Sequence, residues 1–428
     1  MPKGSGIATY AWNLGLGLKR QGFETQLLFG PARAARGHAL LDEIAIYDAV
    51  ELKPSRPTVR QFLRKRFSGL TKTASRVARS GEIDPRQWPS RDFGADVIWS
   101  SQDLFHGANR DYAGHGRFTT VTFGAPGEPA PMDAMHWTCV LPLKAQGAAN
   151  VYTIHDLVPL KLPFATLDDK PRFFETCAQI CKQADHVVTV SETSRREIIR
   201  IFGIEESRIT NTFQAVNIPD DLLAESEDEA AAEVAALFGL DWNEYFVFFG
   251  AVEPKKNIGR LIEAYLTAGV RKPLVIIGGR AWLEGDETRL LTADLIQTQA
   301  AQTGASLRTD RVRRFDYLPR QALINVIRGA RATLFPSLYE GFGLPILESM
   351  QLGTAVLTST EGAGPEIAGD AAVFVDPYDV RAIKRAIQAL DADDGLCDDL
   401  THRGRLQAAK FAPAEYERRL SELYRGLL

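Results

Sequence analysis

The chain is poor in cysteine, has no long apolar run and carries no excess of positive charge. Each shortage removes a class of function. Four cysteines in 428 residues (Cys139, Cys177, Cys181 and Cys397) are scattered without metal-ligand pairing, so neither a disulfide framework nor a thiolate metal centre is expected. Cys177 and Cys181 lie four apart on an expected helix, where small buried apolar roles suit them. No uninterrupted apolar stretch is long enough to span a bilayer, and the opening residues do not read as a signal peptide. A reducing cytoplasm is the expected setting. The net charge of −4 argues against a general nucleic-acid binder, which would carry a basic excess.

What remains is the composition of a globular enzyme, 45% apolar and 24% charged. A chain this long exceeds what one hydrophobic core organises, so two domains are expected. Strand-like runs alternate with helical segments in both halves, the pattern of doubly wound parallel α/β sheets. Strands are expected over 25–29, 96–99, 151–154 and 186–190, then over 245–249, 274–277, 312–316, 332–335, 355–357 and 373–375. The acidic stretch 220–233 reads as the linker and first helix of the second domain, and 413–428 as a terminal helix. The expected domains are 1–218 and 219–412, with residues 413–428 apart.

The most informative segment is Tyr339-Glu340-Gly341-Phe342-Gly343-Leu344-Pro345-Ile346-Leu347-Glu348. It follows the buried-strand run Ala332-Thr333-Leu334-Phe335 and leads into a helix opened by Pro345. Gly341 and Gly343 let backbone amides approach a ligand, and the free N–H groups of a helix start favour phosphate. Glu348, one turn in, suits a ligand that also carries a diol, since a carboxylate accepts two hydrogen bonds. Phosphate plus ribose means a nucleotide. The competing reading, ordinary first-turn helix charges, does not explain the glycines and the strand.

This segment resembles the Glu-x7-Glu signature of retaining glycosyltransferase family 4, whose members have the GT-B fold. Further motifs follow in family order. Phe246-Val247-Phe248-Phe249-Gly250-Ala251-Val252-Glu253-Pro254-Lys255-Lys256-Asn257 resembles its strand-loop-helix with a basic pair for the donor diphosphate. Gly364-Pro365-Glu366-Ile367-Ala368-Gly369-Asp370 and Val375-Asp376-Pro377 resemble its closing pattern. Val151-Tyr152-Thr153-Ile154-His155-Asp156-Leu157 and Val188-Thr189-Val190-Ser191-Glu192 match in the first half.

The resemblance implies two Rossmann-like domains facing across a cleft, with the terminal helix crossing back onto the first. It implies a catalytic set of His155 at the donor sugar, Glu340 against the sugar ring and Lys256 at the diphosphate. Gly4, Gly6, Lys255, Tyr317, Leu318, Phe342, Gly343, Leu344 and Glu348 would bind the donor, and Asp156 would face the acceptor. Asp156 could instead cap the following turn. Asn257 reads as the N-cap of the next helix. The family usually has an arginine in the basic pair; two lysines keep the charge and lose the planar fork. No metal and no cofactor are expected beyond the nucleotide-diphosphate sugar. The Gly4 loop normally follows a first strand for which too few residues stand here, so a truncated start, or another element covering the sheet, is expected.

Residues 53–79 hold nine cations (Lys53, Arg56, Arg60, Arg64, Lys65, Arg66, Lys72, Arg76 and Arg79) and no acid, with Val59, Leu63, Phe67 and Leu70 at helical spacing. A basic amphipathic helix is one reading, suited to an anionic membrane surface; a solvated segment is the other. The expected activity is transfer of a hexose, first mannose from GDP-mannose, to a glycan or lipid-linked oligosaccharide in surface polysaccharide synthesis. A catalytically inactive nucleotide-sugar-binding subunit and a sugar-nucleotide 2-epimerase are the alternatives. No nucleic-acid partner is expected, and the place is the cytoplasm, with contact on the inner face of the membrane as an option.

Overall fold

A computed structural model describes residues 6–31, 37–47, 70–83, 95, 97–124, 131–279, 296–298 and 311–428. Gly4 and residues 53–69 of the basic segment lie outside them.

The second half is one seven-stranded sheet with every pairing parallel. Its strands are β10 (Phe246–Phe249), β11 (Leu274–Ile277), β12 (Ile296–Thr298), β13 (Val312–Phe315), β14 (Ala332–Phe335), β15 (Ala355–Ser359) and β16 (Val373–Val375). Phe246-Val247-Phe248-Phe249 and Leu274-Val275-Ile276-Ile277 are buried at every residue, because helices cover both faces of the sheet. The spatial order β12-β13-β11-β10-β14-β15-β16 reverses direction between β10 and β14. In an open parallel sheet that reversal leaves a crevice beyond the strand ends where ligands bind. The loops leaving β10 and β14 are the two that carry the lysine pair and the Glu340 segment.

The first half forms two sheets. One is five-stranded, from β1 (Gln26–Phe29), β2 (Thr71–Arg76), β3 (Val97–Ser100), β4 (Thr119–Phe123) and β6 (Leu143–Ala145), in the order β1-β3-β2-β4-β6. The other runs β5-β7-β8-β9, from β5 (Ala134–Trp137), β7 (Ala149–Thr153), β8 (His186–Thr189) and β9 (Ile209–Asn211), all parallel. Here β2 overturns the amphipathic-helix expectation for the described end of the basic segment: it runs antiparallel to β3 and parallel to β4. Its Thr71 and Thr73 are β-branched and suit a pleat. Lys72 lies on that strand and donates to the carbonyls of Gln102 and Asp103, at 2.7 and 2.5 Å.

The helices that bear on the site are α1 (Gly6–Arg20), α2 (Lys170–Gln183), α3 (Glu192–Phe202), α4 (Glu227–Phe238), α5 (Ile258–Ala268), α6 (Leu344–Leu352), α7 (Gly364–Ala368) and α8 (Pro413–Leu427). The acidic linker ends in a capping box, with the Ser226 hydroxyl accepting from Glu229 N and the Glu229 carboxylate accepting from Ser226 N, and α4 follows. α8 packs against α1. A side chain on Gly17 of α1 would meet Leu420 at 3.1 Å, and Arg20 pairs with Glu417 at 3.0 Å. Between α1, α8 and the strands β5 and β7 sits a buried polar knot. Tyr10 Oη lies 2.8 Å from Thr153 Oγ1, His136 Nε2 is 2.6 Å from the same hydroxyl, and His136 Nδ1 meets Tyr424 Oη. Burial holds His136 down at about 3, so it stays neutral. Cys177 and Cys181, both buried on α2, have their thiols pushed up by burial, Cys181 to about 12, which leaves them inert packing groups.

Candidate active site

The site begins with two loops at the sheet's switch point. After β10 the chain turns through Gly250, in the left-handed region at φ 128°, and reaches the 3-10 turn Pro254–Lys256. After β14 it runs through Leu338 and Tyr339 to Glu340. The loops are stitched together: Leu338 N donates to Lys255 O at 2.7 Å, and Lys256 Nζ lies 2.6 Å from Glu340 Oε1. Both partners of that pair are only 8% exposed. The Lys256 ammonium also stands over the Phe335 ring at 4.7 Å. Burial alone would raise the Glu340 carboxyl; Lys256 and then Lys255 outweigh it, and the net direction is down, so Glu340 is ionised.

Asn257 corrects the sequence reading. It occupies the position before α5, yet in left-handed geometry (φ 61°) with no side-chain cap. Its amide donates instead to Pro336 O at 3.0 Å and Pro377 O at 2.7 Å, tying both neighbouring loops to the base of the lysine turn. The preference of asparagine for left-handed backbone explains the residue better than capping does.

Lys255 reaches further toward the first half. Burial alone would lower its pKa, but Glu340, Asp156, Glu253 and Asp168 outweigh that and hold it above the ordinary lysine value, so it stays a cation. Two of those carboxylates belong to the first half.

α6 opens on Gly343 (φ 104°) with no side-chain cap, leaving its first turn free to meet an anion. Glu348 lies one turn in and makes no hydrogen bond or salt bridge with a described residue. Burial pushes its carboxyl up to about 7, against the opposing pull of Arg320. Phe342 has its ring in the core, edge-on to Phe411 at 5.9 Å, so only its main chain can meet a ligand. Tyr317 follows β13 and is 79% exposed, while Leu318 is buried.

Across the cleft, His155 and Asp156 lie in the loop just after β7. His155 Nε2 is 2.9 Å from Thr138 O, and a carbonyl can only accept, so Nε2 carries the proton and Nδ1 keeps its lone pair. Burial lowers its pKa against the Thr138 carbonyl and Asp156, leaving a neutral ring whose Nδ1 is able to accept a hydrogen bond. Tyr10 of α1 packs edge-on against that ring at 4.8 Å and fixes it. Asp156 does cap its own turn, accepting from Val158 N at 3.0 Å. Its side chain also lies against Gly341, where a Cβ would stand 2.5 Å from Asp156 Cβ and 2.6 Å from Oδ2. A Cβ on Gly6 would lie 3.6 Å from Leu344 Cδ1, so the start of α1 faces the start of α6. His155, Asp156, Gly6, Lys255, Lys256, Glu340, Gly343, Leu344 and Glu348 therefore converge from both halves.

The Gly341 contact gives a direct test. Gly341→Ala cannot be accommodated without parting the two halves, because the obstructing atom is a Cβ and not a flexible tip. Affinity for a nucleoside diphosphate is expected to hold while turnover falls about a hundred-fold. Titration of a nucleoside diphosphate alongside kcat checks this; unchanged kcat would mean the halves do not meet here during turnover.

The sequence reading missed Tyr10 and Thr138, and also Arg320, whose charge reaches Glu348. None carries a motif of its own; each acts through a neighbour brought close by folding.

Residues 240–407 match the family model of glycosyl transferases group 1, and residues 132–212 match that of glycosyltransferase family 4. The chain is 34% identical over 267 residues to an O-antigen chain mannosyltransferase B of Escherichia coli, covering 61% of this chain and 66% of the relative. It is 28% identical over 310 residues to the serotype-specific mannosyltransferase WbdA of Escherichia coli, covering 70% of this chain and 34% of the relative. It thus spans just under two thirds of the first relative's length and about one third of the second's. Among solved structures, a sucrose-phosphate synthase from Thermosynechococcus elongatus superposes with a TM-score of 0.61 at 18% identity, covering 99% of this chain and 94% of that one. Anabaena Alr3699/HepE, in complex with UDP and glucose, gives a TM-score of 0.59 at 12% identity, covering 94% and 99%.

Proposed function

Because this chain belongs to the family 4 and group 1 glycosyltransferases and has their GT-B fold, we propose that it transfers a hexose from a nucleotide-diphosphate sugar to a hydroxyl of a glycan acceptor in polysaccharide synthesis. The observation that carries this reading is the buried Lys256–Glu340 pair, set at the switch point beside the free start of α6, with Asp156 of the first half against the neighbouring Gly341. Such a site offers each part of a glycosyl donor a partner. The diphosphate meets Lys255 and the α6 amides, which stabilise the charge that develops as the sugar departs. The ribose diol meets Glu348. The sugar lies between Glu340 and the accepting Nδ1 of His155.

The donor is proposed to be GDP-mannose, supported by the mannosyltransferase relatives. Transfer with retention is proposed to proceed by front-face attack: the acceptor hydroxyl forms the new bond to the anomeric carbon as the bond to the diphosphate breaks. The leaving phosphate takes the hydroxyl proton. Lysines and helix amides supply the stabilising charge, so a bound metal is not part of the proposal. Contact with a membrane surface through the cations of residues 53–79 is kept as a proposal for those outside the described residues; Lys72 is engaged within the fold.

Calorimetric titration of GDP, UDP and ADP without metal tests the reading. Tight binding of GDP alone, and release of GDP from GDP-mannose when a mannan-type acceptor is added, is the expected result. Tight binding of UDP alone would replace the donor. Binding without donor consumption would leave a nucleotide-sugar-binding subunit, and no binding by any of the three would remove the site assignment.

A further inference from the structure

Two segments that stand out in the sequence, one ending in Ser191-Glu192 and one containing Pro365-Glu366, take no part in the chemistry above. The fold brings them together across the cleft. Glu366 of α7 points its carboxylate at the first turn of α3. One oxygen accepts from Glu192 N at 2.7 Å; the other accepts from Thr193 N and Thr193 Oγ1, both at 2.9 Å. A carboxylate there satisfies N–H groups that the helix cannot, and it lies at the positive end of the helix dipole.

The same helix reaches the Glu340 loop one turn later. Tyr339 Oη donates to Glu197 Oε2 at 2.6 Å, and Lys161 Nζ holds the other Glu197 oxygen at 2.7 Å. Between these contacts, Ser194 Oγ donates to Gly341 O at 3.4 Å. Thr193 and Glu197 are four apart and so share one face of α3.

All of these contacts converge on one residue. Tyr339 and Gly341 are the immediate neighbours of Glu340. Glu366 acts from the other side, through the turn that precedes α7. Ala363 N donates to Glu340 O at 2.9 Å, and Gly362 (φ 66°) lies so close that a Cβ there would stand 2.6 Å from Glu340 O and 2.7 Å from Glu340 N. One helix of the first half thus grips both flanks and the underside of the residue that pairs with Lys256.

We propose that α3 is the latch through which closure of the two halves positions Glu340, with Glu366 and Glu197 as its positioning residues. The proposal rests on the reading of Glu340 and Lys256 as the reacting end of the site. When the halves part, both carboxylates pass to water and the loop 337–343 loses its hold on one side. When they close, the same contacts set the loop and exclude the water that would hydrolyse the donor. Neither residue touches substrate.

The test uses the full chain with Glu366→Ala, and separately Tyr339→Phe, which keeps the ring and removes the hydroxyl. Read on each are affinity for GDP and UDP, melting temperature, the radius of gyration by small-angle scattering with the nucleotide bound, and kcat for transfer against donor hydrolysis. The expected result is unchanged nucleotide affinity and melting temperature, a larger radius with nucleotide than the parent shows, and kcat lower by about ten- to a hundred-fold. The share of donor lost to hydrolysis should rise, and Glu366→Gln, which can still accept from the helix, should recover part of kcat. Parental kcat and radius in both variants would overturn the proposal. So would a joint fall of affinity, melting temperature and kcat, which would mark an ordinary structural contact. If the parent itself turns over no donor, the reading of the site fails on that result, while the scattering comparison still decides the latch.

Discussion

Lys256→Ala is expected to lower kcat/KM for sugar transfer about a thousand-fold, the loss seen when a preorganised charge is taken from a water-excluded site. The geometry makes the effect large for two reasons. Lys256 is the closest cation to Glu340, at 2.6 Å in a nearly dry setting, and it is held from below by the Phe335 ring. Removing it also leaves the Glu340 carboxylate buried with weaker compensation, and breaking such a pair costs about 3–5 kcal/mol of stability. The lower end applies here, because Lys255 also acts on Glu340. A second variant separates the two consequences. Lys256→Met combined with Glu340→Gln removes both charges and keeps the volume, so it should recover most of the denaturation midpoint and none of the activity. Parental transfer in Lys256→Ala would remove Lys256 from the machinery altogether.

Glu348→Gln is expected to move stability and nucleotide affinity in opposite directions. The Glu348 carboxyl is raised to about 7 by burial, partly offset by Arg320. A carboxyl whose folded value lies above its unfolded one leaves stability untouched at low pH. Its cost grows as pH rises from the unfolded value and is complete above about 7. The glutamine variant should therefore be more stable than the parent at about pH 8, by on the order of 2–3 kcal/mol, and no more stable at about pH 4. Binding runs the other way, because ribose hydroxyls donate and only the ionised carboxylate accepts from both. Parental affinity for a nucleoside diphosphate should fall as pH drops below 7. The variant should bind about ten-fold or more weakly at pH 8 and lose that pH dependence. Calorimetry from about pH 4 to about pH 8.5 reads both effects. A parental affinity flat with pH would mean that Glu348 does not hold the ribose.

How far the sequence led can be followed residue by residue. The strands at 246–249, 274–277 and 332–335 were legible because full burial writes a continuous apolar run. Those at 71–76, 134–137 and 143–145 were not, since they are short, only partly buried and mixed in composition. Glu340, Glu348 and the lysine pair could be found because each lies next to glycine or proline in a strand-to-helix turn, where spacing along the chain is also spacing in the fold. Asn257 was recognised as special and given the wrong task. Its propensity is local, but the carbonyls of Pro336 and Pro377 that engage it are brought in by two other loops.

By itself, then, the sequence determined the alternating α/β plan, the two-domain size and the chemical inventory of the donor loops. These depend on periodicity and on groups a few residues apart, which local backbone geometry fixes. Only the tertiary structure decided which charges pair, which tautomer His155 takes, that Glu348 sits where burial raises it to about 7, and that one helix of the first half closes on Glu340. Those facts join residues that lie 17 to 174 positions apart. Their partners are set by packing, and packing depends on the whole chain at once.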